Sequence, residues 1–117
     1  PDLGYLVDAL ASAAAPESVS YHRVDLKCHN KFKSKGELYF HTFSDRLWKA
    51  MGERVGQLNR CLANDYVQVF ESHGFACRAV ELDSFSEETL TDAQLYLGVT
   101  DISEFRPSDI DIFASRN

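Results

Sequence analysis

The stretch NDYVQVFESHGFACRAVEL, residues 64–82, decides the fold of this chain because it joins a helix to a strand through a glycine. Apolar residues recur at helical spacing after Asn64, a good capping residue, and predict a helix over 65–73. Gly74 stands where a left-handed C-terminal cap belongs. Alternation over 75–82 then predicts a strand, so the stretch indicates an α/β layered domain.

A second helix–strand unit precedes this one. Residues 3–15 carry an apolar helical stripe that continues into alanines, and Pro16 ends the helix because proline cannot continue the hydrogen-bond ladder. Residues 19–26 predict a strand with bulky side chains on both faces. That pattern is typical of a strand covered by helices on both sides.

The segment between the two units predicts a loop over 28–37, followed by aromatic residues 38–43 in an extended conformation. Ser44 is expected to cap a short helix over 45–51. Gly52 and Gly56 bracket a further loop.

The C-terminal third predicts one or two short helices within 84–98, where Thr91 and Gln94 have the spacing of a capping box. Residues 109–114 alternate and predict the last strand. About three strands with flanking helices therefore predict a single α/β domain over 1–117.

Charge is unevenly distributed along the chain, whose net charge is −6. Residues 22–60 hold nine Lys and Arg against four acidic residues, a net of +5, whereas residues 61–117 have a net charge of −8. Such asymmetry can mark a docking face for an anion or an acidic partner. Alternatively, the lysines between residues 27 and 35 solvate one loop. Nucleic-acid binding is not expected because the overall sign is wrong.

Composition indicates a protein of a reducing compartment. The three cysteines are an odd, widely spaced set, which argues against a disulfide framework. No apolar run approaches the length of a membrane span, so no membrane partner is expected. The prediction is a cytoplasmic protein.

The sequence contains neither a Gly-x-Gly-x-x-Gly motif nor a phosphate-binding Gly-Lys-Ser/Thr loop. These motifs are the usual way in which an α/β sheet holds a nucleotide cofactor. We therefore expect that these residues do not bind such a cofactor by themselves.

Titratable side chains gather around the end of the first predicted strand. His22, Asp25 and His29 are candidate acid–base groups, because side chains beyond the carboxyl edge of an α/β sheet line a crevice. The alternative is that they hydrogen-bond loop backbone groups. A metal site is not expected, since no zinc-ligand spacing is present. A nucleophilic pair of Cys28 with His29 or His41 lacks a recognisable oxyanion hole.

Four stretches resemble one known family. Residues 6–29, 43–48, 59–75 and 106–116 are similar, in this order, to the part of class I S-adenosylmethionine-dependent methyltransferases that lies beyond the cofactor site. The best match is the helix from Asp65-Tyr66 that leads into Gly74-Phe75. Two departures are Glu17-Ser18, where the family prefers Gly-Gly, and Cys28, where an Asp is often seen.

This resemblance implies a partial Rossmann-like, three-layer α/β piece whose last strand is antiparallel. It implies the substrate-side portion of a methyltransferase, without the half that holds S-adenosylmethionine. A small-molecule acceptor would be deprotonated by the acid–base candidates above. The acceptor pocket would be shaped by four residues: Tyr39, His41, Arg46 and Trp48.

The resemblance also implies that strand 19–26 has an exposed edge, where a neighbouring strand of the missing half would pair. An uncovered edge of this kind is a site for pairing with another chain. The alternative interpretation is therefore a non-catalytic α/β binding module that covers this edge by self-association, as a homodimer, or with a partner.

Overall fold

A computed structural model describes residues 3–28, 32, 34–51 and 60–116. His29 and the loop at Gly52 and Gly56 lie outside the described residues. The helices and strands, in chain order, are α1 (Leu3–Ala13), β1 (Val19–Asp25), α2 (Asp45–Met51), α3 (Ala63–Ser72), β2 (Phe75–Ser84), α4 (Glu87–Leu97) and β3 (Pro107–Arg116). Short 3₁₀ helices occupy Tyr39–Thr42 and Ser103–Phe105.

The three strands form one sheet in the order β1–β3–β2. β3 pairs antiparallel with both neighbours, and Ile112 stands opposite His22 on one side and Ala79 on the other. The prediction that the last strand is antiparallel is therefore confirmed. β1 and β2 run parallel to each other but are not paired, and each forms an edge of the sheet among the described residues.

One face of the sheet carries the main hydrophobic core. Ile110, Ile112 and Ala114, which alternate along β3, are all buried, as their spacing predicted. Leu3 and Val7 of α1, with Tyr66 and Phe70 of α3, pack in the same cluster. Ile112 is 0% exposed, and burying a side chain of this size contributes about 2–3 kcal/mol of transfer free energy.

The opposite face is open in the described part of the chain, in contrast to the expected three-layer arrangement. Val19 is 73% exposed and Tyr21 51% exposed. Polar side chains cross this face: Asp111 accepts hydrogen bonds from the Tyr21 hydroxyl at 2.8 Å and from Arg23 Nε at 3.0 Å. The bulky side chains on both faces of β1 predicted helices on both sides of the strand, and for this face the described residues do not show one. Tyr21 tolerates exposure because it combines an apolar ring with a polar hydroxyl that water can reach.

Two predictions about the ends of helices are confirmed. The Ser44 hydroxyl oxygen accepts the backbone N–H of Leu47 at 3.2 Å and caps α2. Gly74 adopts a φ of 86° after α3, in the left-handed region where a side chain is strained.

Three local predictions are wrong. Residues 39–42 are a 3₁₀ helix rather than extended, which turns Phe40 into a buried position. α3 begins before Asn64, because the Asp65 carboxylate accepts the Leu62 backbone N–H at 2.7 Å. α4 is capped by Ser86, whose hydroxyl accepts the Thr89 N–H at 3.1 Å, so the Thr91–Gln94 pair lies inside the helix.

A second, smaller core lies at the end of the sheet where β2 finishes. Phe85, directly after β2, packs with Leu90 and Ala93 of α4 and with Leu38 from the long connection after β1. Ile102 and Phe105, just before β3, pack against them. Because β3 is antiparallel, its start lies beside the carboxyl ends of β1 and β2, and the second core covers that edge.

No helix in the described ranges has both the length and the apolar character needed to cross a membrane. None of the three cysteines forms a disulfide bond.

Candidate functional site

Five aromatic side chains gather beside the second core, beyond the carboxyl end of β1. We call them the edge cluster; its members are Phe32, Tyr39, Phe40, Phe43 and Trp48. They come from the connection that follows β1 and from α2. This edge is where α/β sheets place ligands, because side chains from different loops converge there.

Trp48 joins the cluster to α2. Its ring lies nearly parallel to that of Phe43, with centroids 6.0 Å apart and an interplanar angle of 15°. The Phe40 ring is 5.9 Å away on another side. The indole is partly exposed, and Leu47 of the same helix is 47% exposed. α2 therefore presents Trp48 as its main contact to the domain.

Arg60 reaches this cluster from the other end of the undescribed segment 52–59. Its guanidinium carbon lies 5.0 Å from the centre of the Trp48 ring, a cation–π distance. Nη1 donates to the backbone carbonyl of Phe43 at 2.6 Å, and Nη2 donates to the carboxylate of Asp45 at 2.6 Å. Arg60 thus connects the start of α3 to the start of α2.

His41 lies between the edge cluster and the second core. Its ring centroid is 4.2 Å from that of Phe40 and 5.1 Å from that of Phe105. Burial lowers the pKa of His41 to about 4, and the positive charge of Arg60 acts in the same direction. The imidazole is therefore neutral at pH 7.

Tyr96 of α4 anchors the connection that carries the cluster. Its hydroxyl accepts the backbone N–H of Leu38 at 3.1 Å, and its ring contacts that of Tyr39 at 5.6 Å. Gly36 has a φ of 130°, and a Cβ placed there would lie 2.8 Å from the Tyr96 ring. The close approach of α4 to this turn therefore depends on glycine.

Two of the predicted acid–base residues, His22 and Asp25, are not brought together. His22 points into the main core, where its ring is 5.4 Å from Phe70 and its Nε2 is buried without a hydrogen-bond partner among the described residues. Burial lowers the pKa of His22. Asp25 lies on the other face of β1 and accepts the Lys27 backbone N–H at 2.8 Å. The third candidate, His29, is outside the described residues.

The predicted acceptor-binding residues divide into two groups. Tyr39 and Trp48 belong to the edge cluster and His41 borders it, whereas Arg46 is exposed on α2. Sequence reasoning missed Arg60. The sequence does show that Arg60 is the last residue of the basic segment 22–60 and lies shortly before the helix of the best-matching stretch.

Two further observations concern metal binding and the Cys28 thiol. Within them, no three side chains among His, Cys, Asp and Glu are grouped so that they could hold a metal ion. Cys28 is 3% exposed, so its thiol does not face a ligand-accessible surface. The described side chains combine an aromatic surface with a partly buried cation and a neutral imidazole beside it, groups that can contact a ligand.

No protein-family model, curated protein or solved structure matches this chain.

Proposed function

We propose that the chain is the substrate-side portion of an S-adenosylmethionine-dependent methyltransferase, in which the edge cluster receives the methyl acceptor. The cofactor would be held by a further half that pairs with β1. The role of the described residues is to position the acceptor, because a bound, correctly oriented acceptor needs little else for direct methyl transfer.

The strand directions carry this proposal. The resemblance implies two parallel strands, each preceded by a helix, and a closing antiparallel strand. β1 follows α1, β2 follows α3, and β3 runs antiparallel to both. Fold analogy does not by itself establish an activity, so the acceptor site needs its own support.

The outer edge of β1 supplies a second argument. The Leu26 backbone N–H donates to the Ser108 carbonyl at 2.9 Å, and the Arg116 backbone N–H donates to the Ser18 carbonyl at 2.8 Å. The even-numbered residues of β1 therefore direct their backbone N–H and C=O groups toward β3. Antiparallel pairing alternates, so the backbone groups of Tyr21 and Arg23 point to the opposite edge. No strand among the described residues pairs with that edge. It is where the sheet of a larger enzyme would continue.

The position of the edge cluster agrees with an acceptor site. Both β1 and β2 end near it, and ligands of α/β sheets bind beyond the carboxyl ends of strands. Partly exposed aromatic rings with a few polar groups are typical of small-molecule sites. His41 borders the cluster, and because its pKa is lowered to about 4 it is a neutral hydrogen-bonding group for the acceptor at pH 7 rather than a strong base.

The complete reading frame tests the proposal. We expect a strand followed by a glycine-rich turn within about one domain length upstream of residue 1. The protein made from that frame should bind S-adenosylmethionine saturably in isothermal titration calorimetry, whereas the 117-residue chain should not. A complete frame without such a half, or a complete protein that does not bind the methyl donor, would overturn it.

A non-catalytic binding module is the second candidate, and the open face of the sheet favours it. Val19, Tyr21 and Val80 are exposed there, beside the unpaired edge of β1. Sedimentation equilibrium of the chain distinguishes the two: a single well-defined dimer supports the module, whereas a heterogeneous mixture is expected of an isolated half with an uncovered edge.

A further inference from the structure

We infer that Arg60 is the recognition group for an anion, a carboxylate or a phosphate, on a ligand whose apolar part packs against the edge cluster. This inference rests on the proposed function, because it takes the edge cluster as the acceptor site. Three observations support it: the burial of the Arg60 side chain, the exposure of its only described carboxylate partner, and the basic character of the stretch of sequence that supplies the site.

The Arg60 side chain is only 16% exposed. A buried charge is costly unless an anion and a full set of hydrogen-bond partners compensate it. The Phe43 carbonyl and the Trp48 ring satisfy part of the guanidinium, but neither carries a negative charge. Nη1 and Nη2 each use one N–H in the described hydrogen bonds, and a guanidinium has five.

The carboxylate that does meet Arg60 belongs to Asp45, whose side chain is 103% exposed. Ion pairs with so exposed a partner are weak, because water and salt screen them. A ligand anion that brings an apolar group onto the neighbouring rings would exclude water from the pair. It would therefore compete effectively with Asp45 for the guanidinium.

The stretch of sequence that supplies the site is also basic. Residues 22–60, which supply the edge cluster and Arg60, have a net charge of +5 in a chain whose total is −6. The neighbouring imidazole of His41 adds no charge at pH 7, since its pKa is lowered to about 4. Among the described residues, Arg60 is thus the partly buried cation at the aromatic surface, whereas Arg46 is exposed on α2.

Trp48 offers a direct readout because it is the single tryptophan and touches Arg60. The 117-residue chain would be titrated with phenylbutyrate, phenethyl phosphate and the neutral phenylbutanamide while Trp48 emission is followed. We expect saturable changes with at least one anion, and binding of the amide weaker by about tenfold or more, as for loss of a charge-assisted hydrogen-bond pair. The preferred anion identifies carboxylate or phosphate as the source. Equal binding of the amide and both anions would overturn the inference.

Three variants assign the effect to Arg60. Arg60→Gln should weaken anion binding about tenfold or more, and Arg60→Lys should have an intermediate effect because it keeps the charge but loses the planar fork of donors. The control Lys49→Gln, at an exposed basic residue in the last turn of α2, should bind as the original chain does. Unchanged binding in a folded Arg60→Gln protein, checked by circular dichroism, would contradict the assignment. If that variant does not fold, the comparison of anion with amide on the original chain decides the matter.

This titration uses no methyl donor. A complete protein that fails to bind S-adenosylmethionine would therefore remove the methyltransferase proposal and leave the anion site standing. Conversely, loss of the anion site would leave the cofactor experiment unaffected.

Discussion

The Tyr96 hydroxyl accepts the backbone N–H of Leu38 at 3.1 Å and ties α4 to the connection that carries the edge cluster. The two residues are 58 positions apart in the chain. Leu38 is buried in the second core, so its N–H has no ready access to water. This hydrogen bond therefore couples the stability of a peripheral helix to the geometry of the proposed acceptor site.

Replacing Tyr96 by Phe should lower the free energy of unfolding by about 1 kcal/mol, because a buried backbone N–H loses its acceptor. Urea denaturation measures the change. Tyr5→Phe is the matched control, since Tyr5 is exposed on α1 and its replacement should be nearly neutral. Equal effects of the two substitutions would contradict the coupling of α4 to the site.

Gly36→Ala should destabilise the protein more than Gly98→Ala. Both glycines have positive φ, but a Cβ on Gly36 meets the Tyr96 ring at 2.8 Å, whereas a Cβ on Gly98 meets no atom within 4 Å. Left-handed backbone alone costs an alanine about 1 kcal/mol, and the ring contact adds to that cost at Gly36. Thermal unfolding of both variants gives the order, and the reverse order would contradict the close packing of α4.

Stability should fall as the pH is lowered from 7 to 5. The folded-state pKa of His41 is lowered to about 4, and that of His22 is also lowered, both chiefly by burial. Between about pH 6.5 and pH 4 the unfolded chain therefore binds more protons than the folded chain, and stability is lost as the pH falls. The lowered pKa values of Asp109 and Asp111 act only at lower pH, near and below the ordinary carboxyl value of 3.8.

Urea denaturation at pH 7 and pH 5 measures this dependence. His41→Leu should reduce the loss of stability between the two pH values, and His22→Leu should reduce it further. A loss of the same size in the double variant would show that other groups are responsible.

Ile112→Ala should lower the free energy of unfolding by about 2–5 kcal/mol. Ile112 lies at the centre of the sheet, is fully buried and contributes to the main core, so its removal leaves a cavity. Leu82→Ala is the control, because Leu82 lies exposed at a shift in the register between β2 and β3. Chemical denaturation should separate the two by more than 1 kcal/mol. A similar loss of unfolding free energy in the two variants would contradict the central position of Ile112 in the main core.

The sequence predicted more of the fold than of the site. Alternation and helical spacing identified the three strands and most of the helices, since these periods are local properties. The same alternation also separates His22 from Asp25, because residues three apart in a strand lie on opposite faces. That signal was present in the sequence and argues against a shared acid–base role for the two.

The sequence by itself determined the order of helices and strands, the glycine turn at Gly74 and the cap at Ser44, because each depends on neighbouring residues alone. Only the tertiary structure decided which face of the sheet remains open and which cation meets Trp48. Arg60 contacts Trp48, which lies 12 positions earlier in the chain, and Phe43, which lies 17 positions earlier. Such contacts depend on how the connection folds back over the end of the sheet, and no local pattern encodes that path.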